Sequence, residues 1–303
     1  MPWFKNTIVY AFNKQTHYNK KELETALSVN RFSPCGTQDF SKVGWVSPYG
    51  DQNENLVVEI NDHLLIKAKK ETKLLPPSVI NDALKSKINA IQATEQRELK
   101  KKEKRVLKED VVMDLLPRAF SKYHYVLLWI DLKHQRVILD ATSFKQAESI
   151  ISLLRNALGS MPLVPSGQAI PLEVSLTNWV KNNPSFPPFC LGDEAELKDP
   201  LNGLGIIRCR QQELTCDEIM HHINAGKQIT KLKVIEENCI NFIMQNDLTL
   251  KRIKYAPDLI DKNQDIDTKD TEKRLEADFM IMSEVISRAV NQINEIIATL
   301  SIK

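Results

Sequence analysis

QITKLKVIEENCINFIMQNDLTLKRIKY, residues 228–255, is the stretch that decides the fold class. Apolar and polar side chains alternate along it with the period of two that a half-buried strand requires. The alternation divides into three runs, about Gln228–Glu236, Cys239–Gln245 and Thr249–Tyr255, parted by polar turns at Glu237-Asn238 and Asn246-Asp247. Three such runs with tight turns read as an antiparallel meander. On either side the period changes. Thr215-Cys216-Asp217-Glu218 reads as a capping box opening a helix that ends near Gly226. An acidic linker after Tyr255 leads to a final helix over Thr271–Leu300. Strand runs and helix runs are segregated rather than alternating, which predicts an α+β chain with antiparallel sheets and long helices in several subdomains.

The N-terminal half obeys the same logic. Thr7–Asn13 reads as a strand and Lys20–Val29 as a short amphipathic helix, followed by a Pro-, Gly- and Ser-rich loop over Phe32–Pro48. Leu56–Ile60 and Leu64–Ala68 flank Asn61-Asp62-His63 as a hairpin. A second hairpin joins Tyr125–Asp131 to Arg136–Ala141 across Leu132–Gln135. Thr142 or Ser143 caps a helix running to about Leu158, where Gly159 supplies the stop. Met161–Pro171 and Asn182–Pro188 are proline-punctuated connections. The expected divisions are 1–75, an N-terminal α+β region; 76–122, a long basic helix with its tip; 123–190, a central hairpin and helix; and 191–303, the meander sheet and terminal helix.

The basic helix carries the first functional signal. Pro76-Pro77-Ser78 starts it, and seven of the twelve residues in RELKKKEKRVLK, 97–108, are basic. At 100° per residue Arg97, Lys100, Lys101, Lys104, Arg105 and Lys108 fall on one face. Ile80, Leu84, Ile88, Ile91, Leu99 and Val106 fall on the other, as a core-facing stripe would. A second helical piece, Glu109–Leu116, ends at Pro117 in LLPRAF. Such a rail of positive charge suits a phosphate backbone. Many charged helix faces are only solvated surface, and that reading stands beside it. Salt-laced helices place Glu four residues before Lys, which only Glu98–Lys102 does here.

Composition sets the limits. The chain has 303 residues, 26% charged and 42% apolar, with a net charge of +2 and a sequence pI near 8.1. A nucleic-acid binder with so little net charge must segregate it. The acidic surplus does collect late, in Asp258, Asp261, Asp265, Asp267, Asp270, Glu272, Glu276 and Asp278. The N-terminus MPWFKNTIVYAFNK has no signal-peptide core, and no run approaches the roughly 18 apolar residues that span a bilayer. Five scattered cysteines without a CxxC pair suit a reducing compartment. A cytoplasmic protein with no membrane role is expected.

Signals for catalysis are weak. Asp261–Glu272 places oxygen ligands almost as a calcium loop does, but the sixth position, where the loop turns through positive φ, is Ile266 instead of glycine. A solvated acidic linker accounts for it better. Glu218 and His222 share a helix face beside His221 without a third ligand, and Cys35 has no evident partner base. Neither nucleotide-phosphate glycine signature occurs. The expectation is a non-enzymatic protein with no metal, cofactor or small-molecule substrate. More basic residues lie on the strands: Arg208 with Arg210, Lys231 with Lys233, and Arg252 with Lys254 share faces, beside Lys227 and Lys251. Ordinary solvated lysines are the rival reading for any single one.

At this point the motifs match a known family. WFKN (Trp3–Asn6), FSPCGTQDFSKVGWVSP (Phe32–Pro48), LLPRAFS (Leu115–Ser121), WID (Trp129–Asp131), LTNWV (Leu176–Val180), DEAELK (Asp193–Lys198), the stretch Ile207–Ile219, GKQITKL (Gly226–Leu232), LKRIKY (Leu250–Tyr255) and DFMIM (Asp278–Met282) run nearly end to end. In these residues the chain resembles the RdgC family, the recombination-associated proteins of proteobacteria. The resemblance implies an α+β homodimer closed into a ring around a positive hole. It implies duplex-DNA binding with little sequence preference, association with the nucleoid, and restraint of recombinase-driven strand exchange. It further places ring-closing contacts at Phe120 and near Arg210, Gln211 and Gln212. At Gln211 the sequence departs from a relative that carries lysine there, one positive charge fewer per subunit.

The expected DNA-contacting residues are therefore Arg97, Lys100, Lys101, Lys104, Arg105, Lys108, Arg118, Arg208, Arg210 and Gln212, with Phe120, Gln211 and Gln212 at the dimer interface. Phe120 also reads as an ordinary core aromatic. The expected partners are double-stranded DNA and a second copy of the chain, with functional antagonism of the recombinase. The alternative is an interaction protein whose basic helix docks an acidic protein partner; a metal-dependent nuclease built on the acidic linker is the third reading.

Overall fold

A computed structural model describes residues 3–166, 172–201, 205–263, 266–267 and 270–301. Its longest ladder joins β4 (His63–Leu74) to β5 (Phe120–Asp131), twelve residues each, in register from His63 opposite Asp131 to Leu74 opposite Phe120. Around it forms a seven-stranded antiparallel sheet with β1 (Ile8–Phe12), β2 (Ser41–Val46), β3 (Val57–Ile60), β6 (Arg136–Leu139) and β7 (Leu163–Pro165), in the order β2-β4-β5-β6-β1-β7 with β3 also on β4. The sheet draws strands from both sides of the 76–122 segment.

Alternation sends the two faces of this sheet into different cores. Leu64, Ile66, Leu128 and Ile130 pack under α1 (Lys20–Ser28) and α4 (Phe144–Leu158), against Leu23, Leu27, Ile150, Ile151 and Leu154. Leu65, Trp129 and Ile138 point the other way, into the core shared with the second sheet. Ser143 caps α4 by accepting from the Gln146 N–H, and Gly159 ends it at φ 80°. The sequence reading of that helix holds at both ends.

The second sheet runs β12-β11-β10-β8-β9, all antiparallel: β8 (Phe189–Lys198), β9 (Ile207–Arg210), β10 (Gln228–Glu236), β11 (Ile240–Gln245) and β12 (Leu250–Tyr255). The last three are the meander expected from 228–255. α5 (Leu172–Asn182), α6 (Asp217–Asn224) and the long α8 (Thr271–Ser301) pack on its apolar face, and α7 (Pro257–Asp261) follows β12. Phe279, Met282, Ile286, Ala289, Ile293 and Ile297 form the buried stripe of α8, at the spacing of a core-facing helix. The two sheets are stitched where Thr7 and Leu250 exchange backbone hydrogen bonds of 2.8 and 3.1 Å.

Several expectations need correction. Phe32–Pro48 is not all loop: β2 lies within it, because Trp45 buries completely and β4 offers an open edge. β4 and β5 extend well past the short runs read from the sequence, since their outer halves, such as KAKKETKL, are mostly polar and keep their extended form by pairing with each other and, over Lys67–Thr72, with β2. β7, β8 and α5 had no periodicity strong enough to single out. The capping box at Thr215 does not form: Cys216 is the cap residue, without a side-chain bond, and the Thr215 hydroxyl donates to Glu213.

The largest correction concerns the basic helix. It is two helices, α2 (Pro77–Glu95) and α3 (Lys101–Leu115), folded against each other as a hairpin between β4 and β5. Gln96 breaks the run in the left-handed region at φ 51°. No residue of α2 is buried, so Ile80, Leu84, Ile88 and Ile91 do not fix it to a domain core; they lie half-buried, and the main partner of α2 is α3. Leu99 alone of the expected stripe is buried, in the turn, while Val106 is 52% exposed.

Candidate nucleic-acid interface

The break places two of the expected contact residues outside the helices. Arg97 sits in the turn, where its guanidinium meets Glu95 at 2.7 Å and both carboxylate oxygens of Glu103 at 2.8 and 3.1 Å. Lys100 is the residue before α3, and its backbone N–H donates to Glu103 at 2.7 Å. Glu103 thereby closes the turn and starts the helix. The Arg97 bonds, then the Lys100 N–H, pull its carboxyl down to about 2. Arg97 therefore acts first as a staple, with its charge matched locally.

Lys101, Lys104, Arg105 and Lys108 follow at i, i+3, i+4 and i+7, and all four are exposed on one face of α3. Arg105 has Glu109 at 3.4 Å but remains 83% exposed in its side chain, so the carboxylate screens it little. That pair has Glu after Arg, the reverse of the order sought in the sequence. Arg118 is exposed in the short turn between α3 and β5. Phe120 then opens β5 at 84% exposure, opposite Leu74 at 48%. It is not a core aromatic. It stands uncovered at the start of β5, beside exposed Leu74 at the end of β4.

A second basic surface lies on the face of the second sheet away from its helices. Register builds it: Glu196 of β8 stands between Arg208 of β9 and Lys231 of β10, and Glu194 stands opposite Arg210. The Glu196 carboxylate, 5% exposed, is met by Arg208 at 2.8 Å, Lys231 at 3.1 Å and Lys198 at 3.2 Å, and accepts from Thr230 at 3.1 Å. Burial pushes its carboxyl up, but Arg208, Lys231 and Lys198 outweigh that and hold it at about 2. Arg252 reaches Glu194 at 2.5 Å, with Arg210 at 3.9 Å. A buried carboxylate thus holds three cations in fixed positions while Arg208 and Arg210 keep 64% and 71% of their side chains exposed. A cavity of about 250 Å³ opens among them. Sequence alternation found the cations but missed Glu194, Glu196 and Lys198, which lay in a strand it did not mark.

Gln211 follows β9 in the left-handed region at φ 54° and is exposed. Gln212 is half-buried, and its amide donates to Glu218 at 2.7 Å. The hairpin cations and the sheet cations occupy separate elements. The structure groups Lys101, Lys104, Arg105 and Lys108 together, and Arg208, Arg210, Lys231 and Arg252 together.

Among the described residues no group of three His, Cys, Asp or Glu stands together as a metal site. Glu218 is engaged by Gln212 rather than by His222. Burial, then the Glu71 carboxylate, pushes the Cys35 thiol up, the reverse of an activated nucleophile. Of the acidic linker, Gln264, Asp265, Thr268 and Lys269 lie outside the described residues. Asp258 and Asp261 are exposed, whereas Glu272 accepts from Asn53 at 2.7 Å, Glu276 from the Tyr49 hydroxyl at 2.5 Å, and buried Asp278 from Asn263 at 3.0 Å. Glu272 and Glu276 tie the start of α8 to the loop before β3, and Asp278 ties it to the residues after α7. Among the described residues no helix is long and apolar enough to cross a membrane.

Fold and site together define an α+β protein of two antiparallel sheets that carries two organised arrays of cations, one on α3 and one on the second sheet. A family model described as "Putative exonuclease, RdgC" matches residues 2–300. Proteins named recombination-associated protein RdgC are similar along almost their whole length. That of Edwardsiella ictaluri (strain 93-146) is 43% identical over 293 residues, 97% of each chain. That of Serratia proteamaculans (strain 568) is 43% identical over 290 residues, 96% of each, and that of Yersinia pestis (strain Pestoides F) 42% over 295 residues, 97% of each. The chain belongs to the RdgC family of recombination-associated proteins.

Proposed function

We propose that the protein binds double-stranded DNA without sequence preference, as a ring-shaped homodimer, and restrains recombinase-driven strand exchange on the DNA it occupies. The observation that carries the reading is the pair of cation arrays, exposed Lys101, Lys104, Arg105 and Lys108 on α3 and exposed Arg208, Arg210 and Arg252 with half-buried Lys231 on the second sheet, in a chain whose net charge is only +2. Cations spaced along a helix and a sheet face suit phosphates, and phosphate contacts carry no sequence information. Exposed Phe120, and Gln211 with Gln212 beside β9, are the proposed subunit contacts. A closed ring would need little base readout, because topology rather than groove contacts would keep it on the duplex. Cytoplasmic location on the nucleoid follows from that role.

The family description mentions an exonuclease, whereas the relatives are named for recombination. The proposal is a binding protein without catalysis. A strand-exchange reaction run by a purified recombinase tests it. Protein added to the duplex beforehand is expected to slow exchange in proportion to duplex coverage, with substrate strands left intact. Unchanged exchange at full coverage, or shortened strands in the presence of Mg²⁺, contradicts it.

A further inference from the structure

The cavity on the second sheet differs from the α3 row in how its cations are arranged. Lys101, Lys104, Arg105 and Lys108 follow one another along a helix, as the singly charged phosphates of a duplex follow one another along its strand. The sheet cations instead converge. Arg208 and Arg210 enter from β9, Lys231 from β10, and Lys251 and Arg252 from β12, around one recess of about 250 Å³. These five lysines and arginines line it among the described residues, against two carboxylates, Glu194 and Glu196. Such a recess gathers more positive charge than one phosphodiester can match.

The carboxylates hold the cations by one edge only. Arg208 places Nε on Glu196 at 2.8 Å, and its terminal nitrogens make no hydrogen bond among the described residues. Arg252 gives one terminal nitrogen to Glu194 at 2.5 Å, while Arg210 stands 3.9 Å from the same carboxylate, beyond hydrogen-bond reach. Lys231 reaches Glu196 at 3.1 Å with one of the three donors of an ammonium. Lys251 is half-buried and donates to the Thr142 carbonyl at 2.8 Å. The free edges of the guanidinium groups face solvent, since the Arg208, Arg210 and Arg252 side chains are 64%, 71% and 55% exposed. Anchored forks of this kind suit phosphoryl oxygens, because less side-chain freedom is lost on binding.

The backbone adds an independent sign. Between the pairs Asn241–Lys254 and Ile243–Lys251, β12 carries one residue more than β11, a bulge. Arg252 occupies it at φ 52°, a conformation that favours glycine and strains any other side chain. From there its guanidinium passes over β11 and β10 to Glu194 on β8. Strain kept at a residue that lines a cavity is a feature of ligand sites.

We propose that this recess binds a free oligophosphate chain, the group shared by nucleoside triphosphates and inorganic polyphosphate, and that its occupation displaces duplex from the second sheet. Adjacent phosphoryl groups concentrate several negative charges and many acceptor oxygens in a small space. The free end of the chain can enter the recess, whereas a phosphodiester, tied to a sugar on both sides, is held at the rim. The displacement rests on the duplex reading above; the binding of the oligophosphate does not.

Calorimetric titration of the full-length protein with sodium tripolyphosphate at about 0.1 M chloride, without DNA or divalent cations, isolates the site. One tripolyphosphate per chain is expected, bound at least about tenfold more tightly than orthophosphate. Arg252→Gly should weaken tripolyphosphate by roughly tenfold without loss of fold stability, because glycine relieves the strained φ as the ion pair with Glu194 is removed. Alanine at Lys101, Lys104, Arg105 and Lys108 together should change it by less than about twofold, because those cations stand on a separate element and salt screens them. Absence of saturable binding, several ions bound per chain, or equal weakening by the α3 and Arg252 variants overturns the proposal, each being the mark of a diffuse counterion atmosphere. Adenosine triphosphate bound more tightly than tripolyphosphate assigns the site to a nucleotide, and equal or weaker binding assigns it to the inorganic chain. Saturating tripolyphosphate should lower duplex affinity more than chloride of matched ionic strength does, and this excess should vanish in Arg252→Gly; no excess in the unaltered protein overturns the displacement. Binding of tripolyphosphate without any binding of duplex would sink the function proposed above and leave this site standing.

Discussion

With Lys101, Lys104, Arg105 and Lys108 all replaced by alanine, duplex affinity at about 0.1 M monovalent salt is expected to fall by roughly a thousandfold. The magnitude follows from counterion release. Each neutralised phosphate contributes about 0.9 to the slope of log affinity against log salt, so four lost contacts flatten the slope by about 3 to 4. The loss should be equal for unrelated sequences, because phosphates are alike along the duplex. Stability should barely change. All four side chains are exposed, alanine is the best helix former, and the one ion pair lost, Arg105 with Glu109, is at the surface. A change of less than about threefold would mean that the α3 face serves an acidic protein partner instead.

The second large effect concerns stability. Asp131, at the end of β5, is fully buried and takes Arg136 Nε at 2.9 Å, His134 Nδ1 at 2.9 Å and the Ser287 hydroxyl at 3.1 Å. Arg136 is 5% exposed and also donates to the Ser287 carbonyl at 3.3 Å and to Asn291 at 2.8 Å, both on α8. This cluster fastens the first sheet to the helix that covers the second. Asp131→Ala leaves a buried guanidinium without its counter-charge and is expected to cost about 3–5 kcal/mol, read by denaturant unfolding. Removing Arg136 as well, as Asp131→Ala with Arg136→Met, should recover much of that loss. A cost below about 1 kcal/mol for the single variant would contradict the account of the cluster.

The pH dependence has a definite sign. Burial pushes the Asp131 carboxyl up, but Arg136 and the His134 donors outweigh it and hold it below the usual carboxylate range. A depressed folded value means that the stabilisation is complete above the unfolded value, about 3.9, and is lost as pH falls through the folded one. The acid limb of the stability curve should therefore be shallower in Asp131→Ala.

What could be read from the sequence depended on whether local pattern and tertiary pairing agreed. The meander strands β10, β11 and β12 alternate cleanly because one face is core and the other solvent, and α4 announces both ends through Ser143 and Gly159. Where the sheet leaves the core, alternation carries no hydrophobic contrast. The outer halves of β4 and β5 were shortened for that reason, and with them went Tyr123, which pairs with Glu71. The basic run at 97–108 kept its helical period across a break that only the Glu103 hydrogen bonds and Gln96 reveal. The exposed arc Lys101–Lys108 survived that error; the positions of Arg97 and Lys100 did not.

Titration of two unrelated duplexes with the unaltered protein across a salt series tests the central claim most directly. If about six phosphates are neutralised, log affinity should fall against log salt with a slope near −5, identical for both sequences. A flat response, or affinities that differ strongly between the two duplexes, would contradict backbone binding by these cation arrays.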